Sequence, residues 1–455
     1  MKLVYNVSDK PPFQKNLLYA FQQLLAIMAA TLLVPILADS TGLYLNQPAA
    51  LAGAGFGTLF YIWATRGKSP VFLGSSFAFI SPLAGACAFG FLGIILGAVC
   101  AGLVYVVIAI VIKITGSGWV NKLLPPVVIG PTVALIGLSL CGSAINNLTN
   151  TAADPAGYSL VHIALGLFAF LVTVWASVKG NKSIRMVPFI VGIVAAYIVG
   201  LILTFIGNAT GSAALQIIDL SKFSGMQLFE VPHFTFLGAF GIYDAEIAAA
   251  AEGGAVNKLN GLSDVINLFV LFAPVAFVTL AEHIADHKNL SSIIERDLIT
   301  DPGLDHTLVG DGVGSMIGSF FGGCPNTTYG ESVGCVAITG NASVSTIVIA
   351  AVYCILLSFF GPFTAFVNSV PSCITGGVCI ALYGFIAVSG LKMLQPVDLS
   401  DNRNLFVVAS ILVCGIGGLQ LNLGAITISA IATALILGII VNVVFNKPEG
   451  QKKQG

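Results

Sequence analysis

The chain has 455 residues, 56% of them hydrophobic and only 9% charged, with a mean hydropathy of +0.96. Soluble domains carry about 25% charged residues, so this composition excludes an ordinary soluble protein and points to an integral membrane protein. A net charge of −1 offers nucleic acid no electrostatic footprint. The nine cysteines, odd in number and mostly inside apolar runs without metal-finger spacing, read as small core residues.

A helix that spans the hydrocarbon core needs about 20 mainly apolar residues. The polar start MKLVYNVSDKPPFQK precedes a full-length span, so no cleavable signal peptide is expected. Fourteen segments follow. The first seven lie near Asn16–Ala38, Gln47–Thr65, Val71–Phe89, Phe91–Ile112, Leu124–Leu140, Leu160–Val178 and Met186–Ile206. A longer, more polar stretch from Gly207 to about Leu262 is expected to be a loop, and the second seven lie near Val265–Ile284, Leu308–Phe321, Thr328–Ile338, Ser345–Val367, Gly376–Leu391, Leu405–Ile416 and Leu423–Phe445.

Basic residues test this count independently of hydropathy, because Lys and Arg accumulate in short cytoplasmic loops. With the N-terminus inside, Lys2, Lys10, Lys15, Arg66, Lys68, Lys113, Lys122, Lys179, Lys182, Arg185, Lys288, Arg296, Lys392, Arg403, Lys447, Lys452 and Lys453 all fall on the inside. Only Lys222 and Lys258 fall outside, both in the long central stretch. Both termini are therefore expected to be cytoplasmic.

The third and tenth segments, carrying GSSFAFISP (Gly74 to Pro82) and PNTTYGESVG (Pro325 to Gly334), are broken by Gly, Pro and hydroxyl residues in matching ways. Interrupted segments at corresponding positions of two halves point to a transporter binding site. Seven is odd, so two consecutive sevens run in opposite directions and predict a seven-plus-seven inverted repeat. The fold class expected is an all-α polytopic membrane protein whose segments three and ten are each a short strand plus a half-helix. Gly53 with Gly57, and Gly93 with Gly97, have the spacing of close helix packing.

Set against the spans, three acidic residues are read as lying within or at the edge of membrane segments: Glu282, Asp286 and Glu331. Such carboxylates are costly in hydrocarbon and usually line a polar cavity, although a buried structural pair, or for Asp286 a solvated helix end, is the alternative. Glu282 and Asp286 are four apart, on one helix face. In a poorly hydrated cavity the pair disfavours double ionisation and titrates as a unit. Binding a ligand there is linked to binding a proton. The strands at Phe77 and at Asn326 to Gly330 offer free backbone donors and acceptors mid-membrane, a surface suited to a small, planar, neutral ligand with Phe77 or Tyr329 against its face; Phe77 and Phe79 serve equally well as packing. A rival from another class is an intramembrane zinc protease, because His283 to His287 spells H-x-x-D-H. A channel is a third class.

Over nearly its whole length the chain resembles the nucleobase–ascorbate transporter (nucleobase:cation symporter-2) family, and within it the bacterial uracil branch. The resemblance is carried by QQLLAIMAATLLVPIL (Gln22 to Leu37), GSSFAFISP, AEHI (Ala281 to Ile284), RDLITDPGL (Arg296 to Leu304) and PNTTYGESVGCVAIT (Pro325 to Thr339). The last contains the family signature as Glu331, Gly334 and Thr339. The resemblance implies a core domain of segments one to four and eight to eleven (1–115 and 263–368) and a gate domain of five to seven and twelve to fourteen (116–206 and 369–446). A long extracellular-side loop (207–262) and a cytoplasmic tail (447–455) complete the division. It implies that Glu282 and Glu331 hold the base, that Phe77, Tyr329 and Gly330 surround it and that Ala30 approaches it from the first helix. It further implies uracil import by proton symport without a cofactor, a homodimer embedded in membrane lipid, no catalysis and no bound metal. The same fold carrying xanthine or another purine, coupled to protons or sodium, is the alternative.

Three departures from the family pattern bear on these expectations. Where a histidine is usual four residues after the first glutamate, this chain has Asp286, with His287 one position later, so coupling is shared among Glu282, Asp286 and His287. Ser332 replaces a frequent Asn, and Gly340 a frequent basic residue. The stretch Gly241 to Gly261 is longer than usual and has no assigned function.

Overall fold

Backbone polar groups in a bilayer must be satisfied within the protein, so so apolar a chain resolves into helices, and its exceptions are informative. A computed structural model describes residues 3–39, 41–151, 154–250, 256–423 and 426–445. Helices α1 (Phe13–Ala38) and α2 (Gln47–Ala64) lead to strand β1 (Leu73–Ser75), a 3₁₀ turn at Phe77–Phe79 and the half-length α3 (Ile80–Cys87). Next come α4 (Gly90–Thr115), α5 (Gly118–Leu123), α6 (Pro126–Ser139) and α7 (Cys141–Thr149). A hairpin of β2 (Asn150–Thr151) and β3 (Asp154–Tyr158) precedes α8 (Leu160–Lys179), α9 (Lys182–Arg185) and α10 (Pro188–Thr210). After α11 (Thr235–Ala239) and α12 (Asp244–Ala250) come α13 (Leu262–Ile294), α14 (Leu304–Gly322), strand β4 (Asn326–Thr328) and α15 (Gly330–Thr339). The chain closes with α16 (Val344–Ser358), α17 (Gly361–Ser369), α18 (Ser372–Lys392), α19 (Asn402–Ile416), hairpin β5 (Leu421–Leu423) and β6 (Ile426–Ile428), and α20 (Ala430–Val444). Among the described residues, seven helices are long and apolar enough to cross a membrane by length and composition.

The two broken segments have the expected form, each a three-residue strand followed by a short helix. Elsewhere the structure corrects the sequence reading. The eighth segment, expected to end at Ile284, continues as helix to Ile294, because Asp286 and His287 find partners inside the protein and so do not end the span. The fourteenth is helical only over Ala430–Val444; the β-branched Ile426–Ile428 stretch before it pairs as a hairpin strand with Leu421–Leu423. The central stretch is not simply a loop. Phe236 stacks on Phe320 of α14 at 4.8 Å, Phe234 meets Phe321 edge-on at 5.6 Å, and Asn257 Nδ2 donates to the Cys87 carbonyl at 3.2 Å. Within Gly241 to Gly261, residues 251–255 lie outside the described residues, as do Lys2, Lys447, Lys452, Lys453 and the tail 447–455.

Helices α2 and α14 meet through glycine, which is how backbones approach closely without side chains between them. A Cβ on Gly53 would sit 2.3 Å from the Gly318 carbonyl oxygen, a backbone atom that cannot swing aside. Gly53→Ala is therefore expected to destabilise the protein by about 1–3 kcal/mol, read as a lower midpoint in thermal unfolding in detergent. Gly118→Ala, with no atom within 4 Å of its Cβ, is the control expected to stay near wild type; equal midpoints for the two variants would refute this packing.

The loops after α2 and after α13 share one end of the molecule. Lys68 Nζ lies 2.7 Å from Asp301 Oδ1, and Arg296 pairs with the same carboxylate. Hydrogen bonds from Lys68 and then Arg296 hold the Asp301 carboxyl below its usual range. So exposed a cluster adds little stability, but it joins basic residues that the charge pattern assigned to one side.

Candidate functional site

Strand β1 pairs antiparallel with β4, matching Leu73 to Thr328, Gly74 to Thr327 and Ser75 to Asn326. The ladder extends one step at each end, through Ser76 N to Pro325 O at 2.9 Å and Tyr329 N to Phe72 O at 3.3 Å. A two-stranded ribbon at this depth has two outer edges that lipid cannot satisfy. Side chains from the flanking helices do so instead. Thr58 Oγ1 of α2 donates to Leu73 O at 3.1 Å and accepts from Leu73 N at 2.9 Å, while Ser315 of α14 donates to the Asn326 carbonyl. Asn326 Nδ2 in turn donates to Gly53 O at 3.2 Å, fixing the ribbon to the glycine contact of α2 and α14.

Against this ribbon lies α13. Thr328 Oγ1 donates to Asp286 Oδ2 at 2.8 Å, and a Cβ on Gly330 would lie 3.6 Å from Asp286 Oδ1, so the start of α15 is held beside that carboxylate. Glu331 occupies the first turn of α15, where free helix N–H groups favour an anionic side chain. Glu282, one turn before Asp286, is within electrostatic reach of both Asp286 and Glu331. Neither Glu282 nor Glu331 accepts a hydrogen bond from another side chain among the described residues, and both are only half-buried. Beside Glu331 a cavity of about 590 Å³ runs between α1 and α15 on one side and α8, α10 and α18 on the other. Phe170, Phe189 and Phe385 line it, as does Arg185.

Of the remaining expected residues, Tyr329 is within electrostatic reach of both Glu331 and Glu282. Ala30 is buried on α1, beside Thr31, whose hydroxyl lies 3.4 Å from Tyr329 Oη. Tyr329 donates its hydroxyl to Ser75 O at 2.7 Å, and its ring covers Gly74 so closely that a Cβ there would come within 2.4 Å. Tyr329 thus braces β1 against the start of α15. Phe77 is buried and meets Tyr383 of α18 edge-on at 5.6 Å. Ser332, the departure in the signature, accepts from Gln23 of α1 and from Phe72 N at 3.3 Å, tying α15 to α1 and to the chain entering β1.

His287 faces elsewhere. One residue along a helix turns the side chain by about 100°, so His283 and His287 leave the carboxylate face. His283 joins Asp311 Oδ2 through Nδ1 at 2.7 Å and Thr307 Oγ1 through Nε2 at 3.0 Å. His287 joins His283 O through Nδ1 and Tyr61 Oη through Nε2, each at 2.7 Å, and Tyr61 Oη lies 2.8 Å from Ser69 Oγ. The two imidazoles stack at 4.0 Å and are fully buried. All four ring nitrogens are engaged in these contacts. The network also corrects the inventory of acidic residues. Asp311, inside the ninth segment and 1% exposed, belongs with these carboxylates as a fourth. Its position within the span Leu308–Phe321 was the available signal.

Residues 14–424 match the family model described as Permease family. The chain is 38% identical to the uracil permease of Bacillus caldolyticus, covering 97% of this chain and 95% of that protein. It is 35% identical to the uracil permease of Bacillus subtilis (strain 168), over 100% and 97%, and 32% identical to that of Escherichia coli (strain K12), over 96% and 93%. Among solved structures, the transmembrane domain of a cyanobacterium bicarbonate transporter, BicA, superposes with a TM-score of 0.59 at 14% identity, covering 96% of this chain and all of that one. The murine Solute Carrier 26 family member A9 anion transporter in the inward-facing state gives 0.61 at 12% identity, over 96% of this chain and 69% of that one. At such identities the likeness speaks for the fold alone. With a family match across most of its length and relatives above 30% identity over nearly all of it, the chain belongs to the Permease family and is a multi-pass membrane transporter, not an enzyme.

Proposed function

We propose that this transporter imports uracil by proton symport. The observation that carries the reading is the pair Glu282 and Glu331, two half-buried carboxyl groups without a side-chain donor of their own, set where two strands and a helix N-terminus converge. A pyrimidine with ring N–H donors and carbonyl acceptors complements carboxylates and strand backbone together. The uracil permeases named among its relatives support the same cargo. Glu282 and Glu331 hold the base, Phe77, Tyr329, Gly330 and Ala30 shape its pocket, and Glu282 with Asp286 carries the proton. His287 then acts at a distance, through the packing of α13.

The broken and short segments count as spans in a fourteen-span, seven-plus-seven inverted repeat, an arrangement supported by the antiparallel pairing of β1 with β4. Core (1–115 and 263–368) moves against gate (116–206 and 369–446), and the cavity beside Glu331 lies between them. The basic loops support cytoplasmic termini, in a plasma or inner membrane that holds the protein as a homodimer. Radiolabelled uracil uptake into proteoliposomes under an imposed inward proton gradient, with unlabelled xanthine as competitor, tests the reading. Accumulation that collapses with a protonophore and ignores xanthine is expected. Absent uptake by folded protein, or full competition by xanthine, would overturn the cargo; uptake indifferent to the protonophore would overturn the coupling.

A further inference from the structure

On the outer wall of the helix bundle, a cavity of about 540 Å³ opens between the ends of α2, α4 and α14. Arg66 and Lys113 line it, with Asp305 and His306 at the start of α14. Neither Arg66 nor Lys113 has an acidic partner within 4.0 Å among the described residues. His306 Nδ1 lies 3.3 Å from Asp305 Oδ2, and that carboxylate sits in the first turn of α14, where the helix end already offsets its charge. Two cations thus face the cavity against one compensated anion.

The walls are apolar and continue into lipid. Trp63 is 73% exposed beside Arg66, and along α4 Leu103, Val107, Ile110 and Ile114 form an exposed stripe that runs up to Lys113. Exposed tryptophan belongs at the boundary between hydrocarbon and water. Arg66 itself has φ of 55°, a left-handed conformation in which glycine or asparagine is usual, and Gly67 N closes the turn on Ile62 O at 2.9 Å. The turn sets the Arg66 backbone just after Trp63, with Arg66 N donating to Trp63 O at 3.0 Å.

We propose that this groove is a binding site for an anionic phospholipid, with Arg66 and Lys113 on the phosphate, Trp63 at the glycerol level and an acyl chain along Ile110 and Ile114. A free phosphate would satisfy the cations and leave the apolar stripe unused; a zwitterionic lipid would fill the stripe and add a cation of its own. Assignment to the cytoplasmic leaflet rests on the orientation proposed above, whereas the lipid contact does not.

Native mass spectrometry of the purified protein, titrated with phosphatidylglycerol and phosphatidylcholine of equal chain length, tests the site. Phosphatidylglycerol is expected to bind at least tenfold more tightly. The double variant Arg66→Gln/Lys113→Gln is expected to weaken it by roughly 30-fold, from about 1 kcal/mol for each basic residue, while Arg66→Lys/Lys113→Arg retains it. Equal binding of the two lipids, or an unchanged double variant, would overturn the proposal. Inorganic phosphate is expected not to displace the lipid; displacement at comparable concentration would reassign the site to a free anion. Monodisperse elution checks that each variant folds. A second readout needs no charge variant: phosphatidylglycerol with brominated chains is expected to quench wild-type fluorescence more than that of Trp63→Phe, and equal quenching would count against the site. Neither readout depends on uracil transport, so a failure here is separable from a failure of the proposed cargo.

Discussion

Glu282→Gln is expected to lower uracil binding about 10- to 100-fold, the range for losing a hydrogen bond to a charged group, and to abolish gradient-driven uptake. Glu331→Gln is expected to do the same. Both side chains lack a donor from another side chain among the described residues, so substitution breaks no bond between side chains, and the variants should elute and unfold like wild type. Asp286→Asn separates binding from coupling. Its oxygen is already held by Thr328 at 2.8 Å, and an amide oxygen can accept the same bond, so uracil binding is expected to persist while uptake loses its dependence on the proton gradient. Isothermal titration beside proteoliposome uptake distinguishes the three. Wild-type binding in Glu282→Gln would remove that residue from the pocket, and wild-type coupling in Asp286→Asn would remove the proton from this pair.

His283→Ala is expected to cost about 3 kcal/mol or more in stability, because it strands Asp311 at 1% exposure without its imidazole partner. The loss is expected as a lower thermal midpoint even with uracil bound. The pair α13–α14 is held by this contact and by Thr307 to the same ring, so the two helices should loosen together. A double-mutant cycle with Asp311→Ala gives the sharper test. Once His283 is gone, removing Asp311 should cost much less than it does alone, since residues in direct contact are not additive. Strictly additive losses would show that the buried pair does not act as one unit.

The strand-plus-half-helix segments were legible because interruption leaves a local mark: Gly74, Pro82, Pro325 and Gly330 break an otherwise apolar run. The spacing of Glu282 and Asp286 likewise put both on one face of α13. What was not legible depended on contacts far apart in the chain. Nothing local to His287 says that Tyr61 will meet it across 226 positions, so the span read from hydropathy stops at Ile284, short of Asp286 and His287. Asp311 is legible from its place inside the span Leu308–Phe321, but its role is not, because its partner His283 lies on another helix. The hairpin before α20 shows the opposite case: apolar content alone reads as helix, although β-branched residues cluster at Ile426 to Ile428.

The pairing of Ser75 with Asn326 sets an order for biosynthesis. When the ribosome has delivered only the first half of the chain, β1 has its edge on Thr58 but no strand beside it, and the backbone groups of Gly74 and Ser75 lack the ladder partners that β4 will supply. The first half is therefore held in an incomplete state in the membrane until some 250 residues later in the chain have been inserted. A prematurely terminated chain would carry that unpaired strand permanently, an exposed defect by which membrane quality control can tell an unfinished copy from a finished one.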